Sequence, residues 1–354
     1  MTAGVELVGV AKSFGAVRAV HHLDLALPER EITALVGPSG CGKTTMLRLV
    51  AGCEAPDAGE IWVGENLVAG AGRWMVPEAR RVGMVFQQLA LFPHLDVAGN
   101  IAYGLRSTSR ARRRQRVGEL LELVGLSGYE GRRPHELSGG QAQRVAVARA
   151  LAPHPEVVLL DEPFSGLDVS LRAGVRREVR RILEAEGVTA LLVTHDQDEA
   201  LAMGDGVAVM LDGTVAQLGR PEDVYRRPAT REVAAFLGDA NLLPGDVHGD
   251  MLATEVGPLP LLADGADDGG GGGGHALALV RPEDLDLAED VEAPTEVVDV
   301  EYYGHDQLVV VALPSGRRLR VRLHARRRFD VGVHVRVVPT GAAVVAFPTP
   351  NLRQ

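Results

Sequence analysis

The segment from Gly37 to Thr44 (GPSGCGKT) combines glycines, a lysine and a threonine at a spacing suited to binding phosphate. In the matching pattern G-x-x-x-x-G-K-[ST], the glycines let backbone N–H groups curl around the β- and γ-phosphates of a nucleotide. We expect Lys43 to neutralise the γ-phosphate and the Thr44 hydroxyl to bind Mg²⁺. The residues predicted to contact the nucleotide here are Gly37, Pro38, Ser39, Gly40, Cys41, Gly42, Lys43, Thr44 and Thr45.

Two adjacent carboxylates, Asp161 and Glu162, follow the short apolar run Val157–Leu160. This run has the composition of a strand buried on both faces, and α/β folds place ligands at the carboxyl ends of such strands. Asp161 is expected to hold Mg²⁺ directly or through water, and Glu162 to polarise the water that attacks the γ-phosphate. Alone, an Asp-Glu pair after a strand is usually a solvated turn. Together with the phosphate loop it predicts a nucleotide hydrolase.

A second anion site is indicated by Ser138, Gly139, Gly140 and Gln141, which lead directly into a helical segment. Backbone N–H groups and a hydroxyl at a helix start can bind phosphate. One ATP cannot readily use two such sites of one chain when each caps its own helix. The pattern therefore favours a dimer in which these four residues of one copy close over the phosphate loop of the other. The alternative is that Ser138 is a plain N-cap.

An α/β core must position these segments. Ile32–Val36 is a short β-rich run that leads into the phosphate loop, and helical spacing follows from Thr44 to Ala51, which disfavours an ordinary glycine-rich turn. Buried-strand patterns at Val157–Leu160 and Val188–Thr194 flank a helical pattern at Ser170–Glu186, which is βαβ order.

The remaining patterns indicate two domains. Residues 1–240 form the first, with a helical insert at about 88–155, and residues 241–354 form an all-β domain of short strands with period-two alternation. Within the second, Gly269–Gly274 is interpreted as a flexible surface loop. Within the insert, the arginines at 112–114 and at 116 are interpreted as a solvated helix face.

Composition excludes several function classes. The net charge of -10 would repel a polyanion, so nucleic acid is not expected as a partner. Lys12 and Lys43 are the only lysines among 37 basic residues, which makes a lysine in the phosphate loop informative. Cys41 and Cys53 fit a reducing cytosol, since a disulfide would lock the loop. No run approaches the roughly 18 apolar residues of a membrane span, so any membrane role requires other subunits.

The sequence LSGGQ at residues 137–141, with the phosphate loop before it and the Asp-Glu pair after it, resembles the ATPase subunits of ABC transporters. The resemblance implies a P-loop NTPase core with a helical insert, ATP as substrate and Mg²⁺ as cofactor. It also implies roles for single residues. Gln87, in VFQQ, resembles the glutamine that senses Mg²⁺ and water, and His195, in THD, the histidine that contacts the γ-phosphate and orients the water. Asp168, in SGLD, resembles the loop that crosses the dimer, and Phe14, in KSFG, the aromatic residue that stacks on adenine.

An ATPase of this kind followed by a β domain resembles importer subunits whose C-terminal region is an OB-like TOBE domain, which is regulatory or contacts the dimer. NLLPG at 241–245 and VRPED at 280–284 support that resemblance. YYGHD at 302–306 leans toward importers of ferric iron, polyamines and related small solutes. Ferric iron is placed first, and polyamine, sulfate, sugar and thiamine uptake stay open as alternatives.

The resemblance implies three partners: a second copy of the chain, transmembrane permease subunits and, indirectly, a substrate-binding protein. It implies a peripheral position on the cytoplasmic face of the membrane. A rival function is that of a soluble ABC ATPase acting on ribosomes or DNA, but such proteins usually carry two cassettes or a long coiled coil. This chain has one phosphate loop, one LSGGQ and no sustained heptads. A regulator that binds ATP without hydrolysing it would lack Glu162 or His195, and both are present.

Overall fold

The computed structural model describes residues 3–105, 108–262 and 274–349 of the chain. The chain divides into two compact units, residues 1–224 and residues 225–354. Of the glycine run Gly269–Gly274, only Gly274 lies within the described residues, so its interpretation as a flexible loop stays a prediction.

Two sheets form the framework of the first unit. Its strands are β1 (Ala3–Phe14), β2 (Val17–Pro28), β3 (Ile32–Val36), β4 (Ala58–Val63), β5 (Asn66–Gly70), β6 (Arg73–Trp74), β7 (Val82–Val85), β8 (Val157–Asp161), β9 (Thr189–Thr194), β10 (Gly206–Leu211) and β11 (Thr214–Gly219). The order β2-β1-β4-β5-β6 makes an antiparallel sheet. The central sheet has the order β11-β10-β3-β9-β8-β7 and is parallel except at β11.

The central strands end together at one edge of their sheet. Every residue of β3 and β9 is buried, as expected of parallel strands covered on both faces. Val36 lies opposite Thr194, and Asp161 lies opposite Val193, while β7 runs beside β8 up to Val85. The loops that follow these four strands therefore begin side by side, which confirms the predicted α/β core.

Eight α-helices lie in the described residues. They are α1 (Lys43–Ala51), α2 (Val97–Ile101), α3 (Arg110–Leu123), α4 (Gly139–Leu151), α5 (Val169–Glu186), α6 (Gln197–Met203), α7 (Pro221–Arg226) and α8 (Arg231–Phe236). Short 3₁₀ helices occur at Pro77–Ala79, Ala102–Gly104, Pro134–Glu136 and Pro282–Asp284. The segment expected as a helical insert contains α2, α3 and α4. No helix in the described ranges combines the length and the apolarity needed to cross a membrane.

The arginines of α3 are only partly solvated. Arg116 donates to the Glu186 carboxylate at 2.8 Å and to the Leu151 carbonyl at 3.1 Å, and Arg113 donates to the Leu105 carbonyl at 2.9 Å. The expectation of a solvated arginine face is therefore wrong for these two residues. A guanidinium carries five N–H donors on a long stem, so it reaches the carbonyls left unpaired where helical segments end.

Strands make up most of the second unit. They are β12 (Asn241–His248), β13 (Met251–Thr254), β14 (Gly257–Pro260), β15 (His275–Val280), β16 (Leu285–Glu289), β17 (Thr295–Tyr302), β18 (Asp306–Ala312), β19 (Arg318–His324), β20 (His334–Pro339) and β21 (Ala346–Pro348). They form two antiparallel sheets, β14-β13-β12-β15-β21 and β16-β20-β17-β18-β19. Leu243 and Val280 of one sheet share a core with Val309 and Val321 of the other. Along β19, exposed and buried residues alternate as the sequence predicts.

Arg281, directly after β15, ties the first residues of the second unit to its strands. Its guanidinium is buried and donates to the carbonyls of Ala234, Gly238 and Asp239 at 3.0–3.2 Å. It also donates to the Tyr225 carbonyl at 3.1 Å and lies 4.1 Å from the centre of the Tyr225 ring. These contacts explain why the compact unit begins at Tyr225, ahead of the composition change near residue 240. A functional division at residue 240 stays a prediction.

Arg281→Met is expected to destabilise the second unit by at least about 2 kcal/mol, because a buried carbonyl without a partner costs roughly 1–3 kcal/mol. Methionine keeps most of the side-chain volume but none of the donors. In calorimetry of the full chain, a melting transition should fall by roughly 5 °C or more. Arg328→Met, at an exposed arginine of the same unit, is the control and should leave that transition in place. An unchanged melting temperature in Arg281→Met would contradict a stabilising role for the Arg281 contacts.

Candidate nucleotide-binding site

The loop between β3 and α1 packs closely against two strands. A Cβ on Gly37 would overlap the carbonyl oxygen of Met210 in β10, and a Cβ on Gly42 would overlap that of Ala19 in β2. Gly42 also has a φ of 105°, which other residues rarely adopt. As the N-cap of α1 it has no side chain to occupy the N–H groups of the first turn. Those groups and the helix dipole can therefore act on an anion.

The Lys43 side chain crosses the inside of this loop. Lys43 is only 6% exposed, and its Nζ donates to the carbonyls of Gly37 at 2.7 Å and Pro38 at 2.9 Å. Carbonyl dipoles offset its charge only in part, so the ammonium fits an anionic phosphate. The loop residues Pro38, Ser39, Gly40 and Thr44 are exposed, Gly42 and Thr45 are half-buried, and Gly37 and Cys41 are buried.

Two groups beside Lys43 have raised pKa values. Burial raises the pKa of the Asp161 carboxyl at the end of β8, and the charge of Glu162 raises it further, while Arg48 and Lys43 oppose both effects. Burial also raises the pKa of the Cys41 thiol, whose Sγ lies 3.8 Å from the Lys43 ammonium. The direct contacts of that ammonium are thus neutral groups, and a bound phosphate would be the charged partner.

The three residues predicted to be catalytic lie together. Gln87 follows β7, Glu162 follows β8 and His195 follows β9. Gln87 Nε2 donates to Glu162 Oε2 at 3.1 Å, and His195 Nδ1 lies 3.0 Å from Glu162 Oε1. The Glu162 carboxylate is therefore held from both sides by neighbours on adjacent loops.

The backbone at Glu162 is strained and held in place. Its φ is 43°, in the left-handed region that non-glycine residues seldom occupy. Its N–H donates to the Val193 carbonyl at 2.9 Å, and the N–H and hydroxyl of Ser165 both donate to its carbonyl, at 3.2 and 3.0 Å. A strained residue that its surroundings hold this firmly is typical of a functional site.

The structure places Ser138 as the N-cap of α4. Its Oγ accepts from the Gln141 N–H at 3.4 Å, and its own N–H donates to Gln141 Oε1 at 2.9 Å, which makes a capping box. Ser138 and Gly139 are exposed. Within the described residues, no hydrogen bond joins Ser138–Gln141 to the phosphate loop of the same chain. The N-cap alternative is thus present, and it leaves this helix start on the surface.

Asp168, the residue predicted to lie in a dimer-crossing loop, is the exposed N-cap of α5. Its carbonyl accepts from the N–H groups of Leu171 and Arg172. Just before it, Leu167 packs close to Gly139: a Cβ on that glycine would lie 2.9 Å from Leu167 Cδ2. The start of α4 and the loop before α5 therefore form one surface of the chain.

Comparison with known proteins identifies the family. The ABC transporter model matches residues 20–165, and the TOBE domain model matches residues 278–347. The chain is 44% identical to the Fe(3+) ions import ATP-binding protein FbpC 1 of Rhodococcus jostii (strain RHA1), over 98% of this chain and 100% of that protein. The chain belongs to the ATP-binding subunits of ABC transporters.

Other members of the ABC family are similar over long stretches. The spermidine/putrescine import ATP-binding protein PotA of Methylococcus capsulatus (strain ATCC 33009 / NCIMB 11132 / Bath) is 45% identical, over 88% of this chain and 82% of that protein. A solved structure, the dimeric post-hydrolysis state of the ATP-binding cassette MJ0796 bound to ADP and Pi, is 32% identical. Its TM-score is 0.53, over 61% of this chain and 98% of that one. The predicted ABC ATPase fold with a C-terminal TOBE domain is thereby confirmed.

In this ABC subunit the predicted adenine-stacking residue, Phe14, is at the end of β1. It is 46% exposed, and Lys12 Nζ lies 5.3 Å from the centre of its ring. Val17, its partner across the β1–β2 turn, is also exposed. Together they form an apolar patch that could contact an adenine ring. The sequence prediction did not include Val17, whose place opposite Phe14 comes from the strand register across the tight turn.

Arg149 was also missed. From the last turns of α4 it donates to the carbonyls of Leu89 at 2.7 Å and Ala90 at 2.6 Å, in the loop that carries Gln87. Leu89 and Ala90 have φ values of 54° and 48°, which are unfavourable for non-glycine residues. Arg149 thus connects the helix that begins at the LSGGQ sequence to the loop of Gln87. The sequence gives no signal for this role, because an arginine near the end of a helix looks the same as a solvated arginine.

Proposed function

We propose that this chain binds and hydrolyses ATP on the cytoplasmic face of a bacterial membrane to energise an ABC importer, with ferric iron as the first candidate cargo. The convergence of Gln87 and His195 on Glu162, beside the phosphate loop, supports hydrolysis most directly. A protein that only bound ATP would not need a carboxylate oriented by two flanking side chains.

Different residues bind different parts of ATP. The N–H groups of Ser39 to Thr45 surround the β- and γ-phosphates, and Lys43 leaves its carbonyl partners to neutralise the γ-phosphate. Phe14 stacks on adenine, with Val17 beside it. The carbonyl dipoles that now hold Lys43 keep its ammonium inside the loop until a stronger anionic partner binds.

The same edge of the sheet suits a magnesium ion. The donors are oxygens, as Mg²⁺ prefers: the Thr44 hydroxyl, the Asp161 carboxylate and the Gln87 amide. Gln87 Nε2 is used by Glu162, so Oε1 of that amide remains for the cation. When bound with ATP, the ion supplies positive charge that stabilises the negative charge on the transferring phosphoryl group.

For hydrolysis, Glu162 polarises the attacking water, which bonds to the γ-phosphorus as the bond to ADP breaks. His195 donates through Nδ1 to Glu162, so Nε2 is the ring atom left to face the γ-phosphate, and it can donate to a phosphate oxygen only when the ring is protonated. Gln87 holds the second carboxylate oxygen. The side chains on either side therefore fix the direction of the carboxylate before the nucleotide is bound.

A second copy of the chain completes each ATP site. Ser138, Gly139, Gly140 and Gln141 of one copy close over the nucleotide bound by the other, and Asp168 lies in the loop that crosses the dimer. Ser138 and Asp168 are exposed, as residues that face a partner must be. The MJ0796 cassette, which is similar over 61% of this chain, is dimeric.

Glu162→Gln should lower ATP turnover by roughly 10²–10⁴-fold, because an amide polarises water poorly, while ATP binding stays intact. Steady-state phosphate release and equilibrium nucleotide binding measure the two effects. Glu65→Gln, at an exposed carboxylate in the turn between β4 and β5, is the control and should turn over normally. Turnover that is unchanged in Glu162→Gln would remove Glu162 from the mechanism.

The dimer is tested on the Glu162→Gln background, in which ATP should trap a species of twice the monomer mass. Ser138→Asp should prevent it, since aspartate caps a helix as well as serine does but its charge would repel the partner's triphosphate. Ser138→Asn, a neutral cap, is the matched control and should still dimerise. Sedimentation with ATP measures the mass, and nucleotide binding to the monomer checks the phosphate loop. Equal dimerisation of the aspartate and asparagine variants would contradict a shared site.

The cargo and the remaining partners follow from kinship. The Rhodococcus protein is named for Fe(3+) import and the Methylococcus protein for spermidine/putrescine import, so transmembrane permease subunits and, indirectly, a substrate-binding protein are the proposed partners. Iron is placed first, and polyamine, sulfate, sugar and thiamine remain alternatives. A soluble ABC ATPase acting on ribosomes or DNA is the alternative of another class.

Deleting the gene for this chain should lower uptake of radiolabelled ferric iron by whole cells and leave spermidine and sulfate uptake unchanged. The wild-type chain should restore uptake, and the Glu162→Gln chain should not, which separates a need for hydrolysis from a need for assembly. Loss of spermidine or sulfate uptake with normal iron uptake would replace iron by that solute. No change in any solute would favour the soluble alternative.

A further inference from the structure

A buried carboxylate, Glu199, lies behind the turn that carries His195. Glu199 is on the first turn of α6 and is 3% exposed. Its Oε2 accepts from the Thr194 hydroxyl at 2.7 Å, and its N–H donates to Asp196 Oδ1 at 3.0 Å. The two neighbours of His195 in sequence are therefore both held by this one residue.

The hydroxyl of Thr194 links the two sides of the turn. It is buried, and its single hydrogen is given to Glu199. Because that hydrogen points away, a lone pair of the same oxygen is free to accept from the Asp196 N–H, at 3.0 Å. Without the acceptor on Glu199 the hydroxyl could rotate, and the bond that closes the turn around His195 would weaken.

Stabilisation of helix α6 does not explain why an acidic residue is buried at position 199. An acidic residue in the first turn favours a helix through its dipole, but Asp198 is exposed there and Asp196 already caps α6. Burial raises the pKa of Glu199, and the charge of Asp196 raises it too, while the Thr194 hydrogen bond and the charges of Arg176 and Arg172 oppose. Placing a carboxyl group in this position is therefore costly, and the contact that distinguishes it is the one to Thr194.

We propose that Glu199 is a positioning residue for ATP hydrolysis. This role rests on the proposed roles of His195 and Glu162. Through Thr194, Glu199 sets the turn that places the His195 ring 3.0 Å from the Glu162 carboxylate. Arg172 extends the network, since its guanidinium lies 3.5 Å from Asp196 Oδ2 and donates to the Leu167 carbonyl at 3.3 Å.

Glu199→Met, which keeps the volume and removes the acceptor, should lower kcat by roughly 10–100-fold with KM for ATP little changed, since a small misplacement of a reacting group can cost up to about 10²-fold. Glu199→Gln keeps an acceptor for the Thr194 hydroxyl and should retain most of kcat. Thr194→Val should resemble Glu199→Met, whereas Thr194→Ser, which keeps the hydroxyl, should resemble the wild type. This paired pattern remains decisive if one of the variants folds poorly.

The decisive measurement is a double-mutant cycle with His195→Ala, using single-turnover hydrolysis of radiolabelled ATP by the full chain. If Glu199 acts through His195, Glu199→Met should cause no further loss on the His195→Ala background. A merely structural role predicts the same fractional loss on both backgrounds, and that result would overturn the proposal. So would normal kcat in Glu199→Met. Failure of the proposed function is distinguishable, because wild-type turnover would then be absent or insensitive to His195→Ala.

Discussion

The parallel alignment of β3, β9, β8 and β7 places four loops at one edge of the central sheet. Because these strands are largely apolar on both faces, alternation of polar and apolar residues cannot set their register. Polar residues at the strand ends limit it instead, since drawing Asp161 or Thr194 deeper into the core would bury a polar group without its partners. The alignment that starts the loops of Lys43, Glu162 and His195 at one edge of the sheet is thus secured by the residues that end the strands.

Two of the loops at this edge contain unfavourable backbone conformations. Glu162, Leu89 and Ala90 have positive φ values, each costing roughly 1–2 kcal/mol for a residue with a Cβ. Hydrogen bonds to other segments offset the cost: the Glu162 N–H donates to the Val193 carbonyl in β9, and Arg149 donates to the carbonyls of Leu89 and Ala90. The positions of Gln87 and Glu162 therefore depend on tertiary contacts more than on local preference, which is why these loops look like ordinary turns in the sequence.

The sequence indicates the candidate binding residues but not the residues that support them, for a physical reason. The phosphate loop is local: glycine spacing, Lys43 and the flanking strand and helix are all visible within a short window. Arg149 and Arg281 bind backbone carbonyls in distant segments, and every residue carries a carbonyl, so the partner leaves no mark in the sequence. The role of Glu199 is hard to recognise in the sequence for another reason: an acidic residue in the first turn of a helix is already expected from the helix dipole.

The N-cap role of Ser138 and its proposed role across a dimer are compatible. The capping box uses the N–H groups of Gln141 and of Ser138 itself. A serine oxygen that accepts one hydrogen bond can still donate its own hydrogen. The N–H groups of Gly139 and Gly140, in the first turn of α4, have no intrahelical acceptor, because the first four N–H groups of a helix never do. At the start of α1, by contrast, Gly42 supplies no cap at all. One helix start is therefore built into a loop suited to a phosphate, while the other is preorganised by its own side chains and lies exposed, which fits the proposed site shared with a second chain.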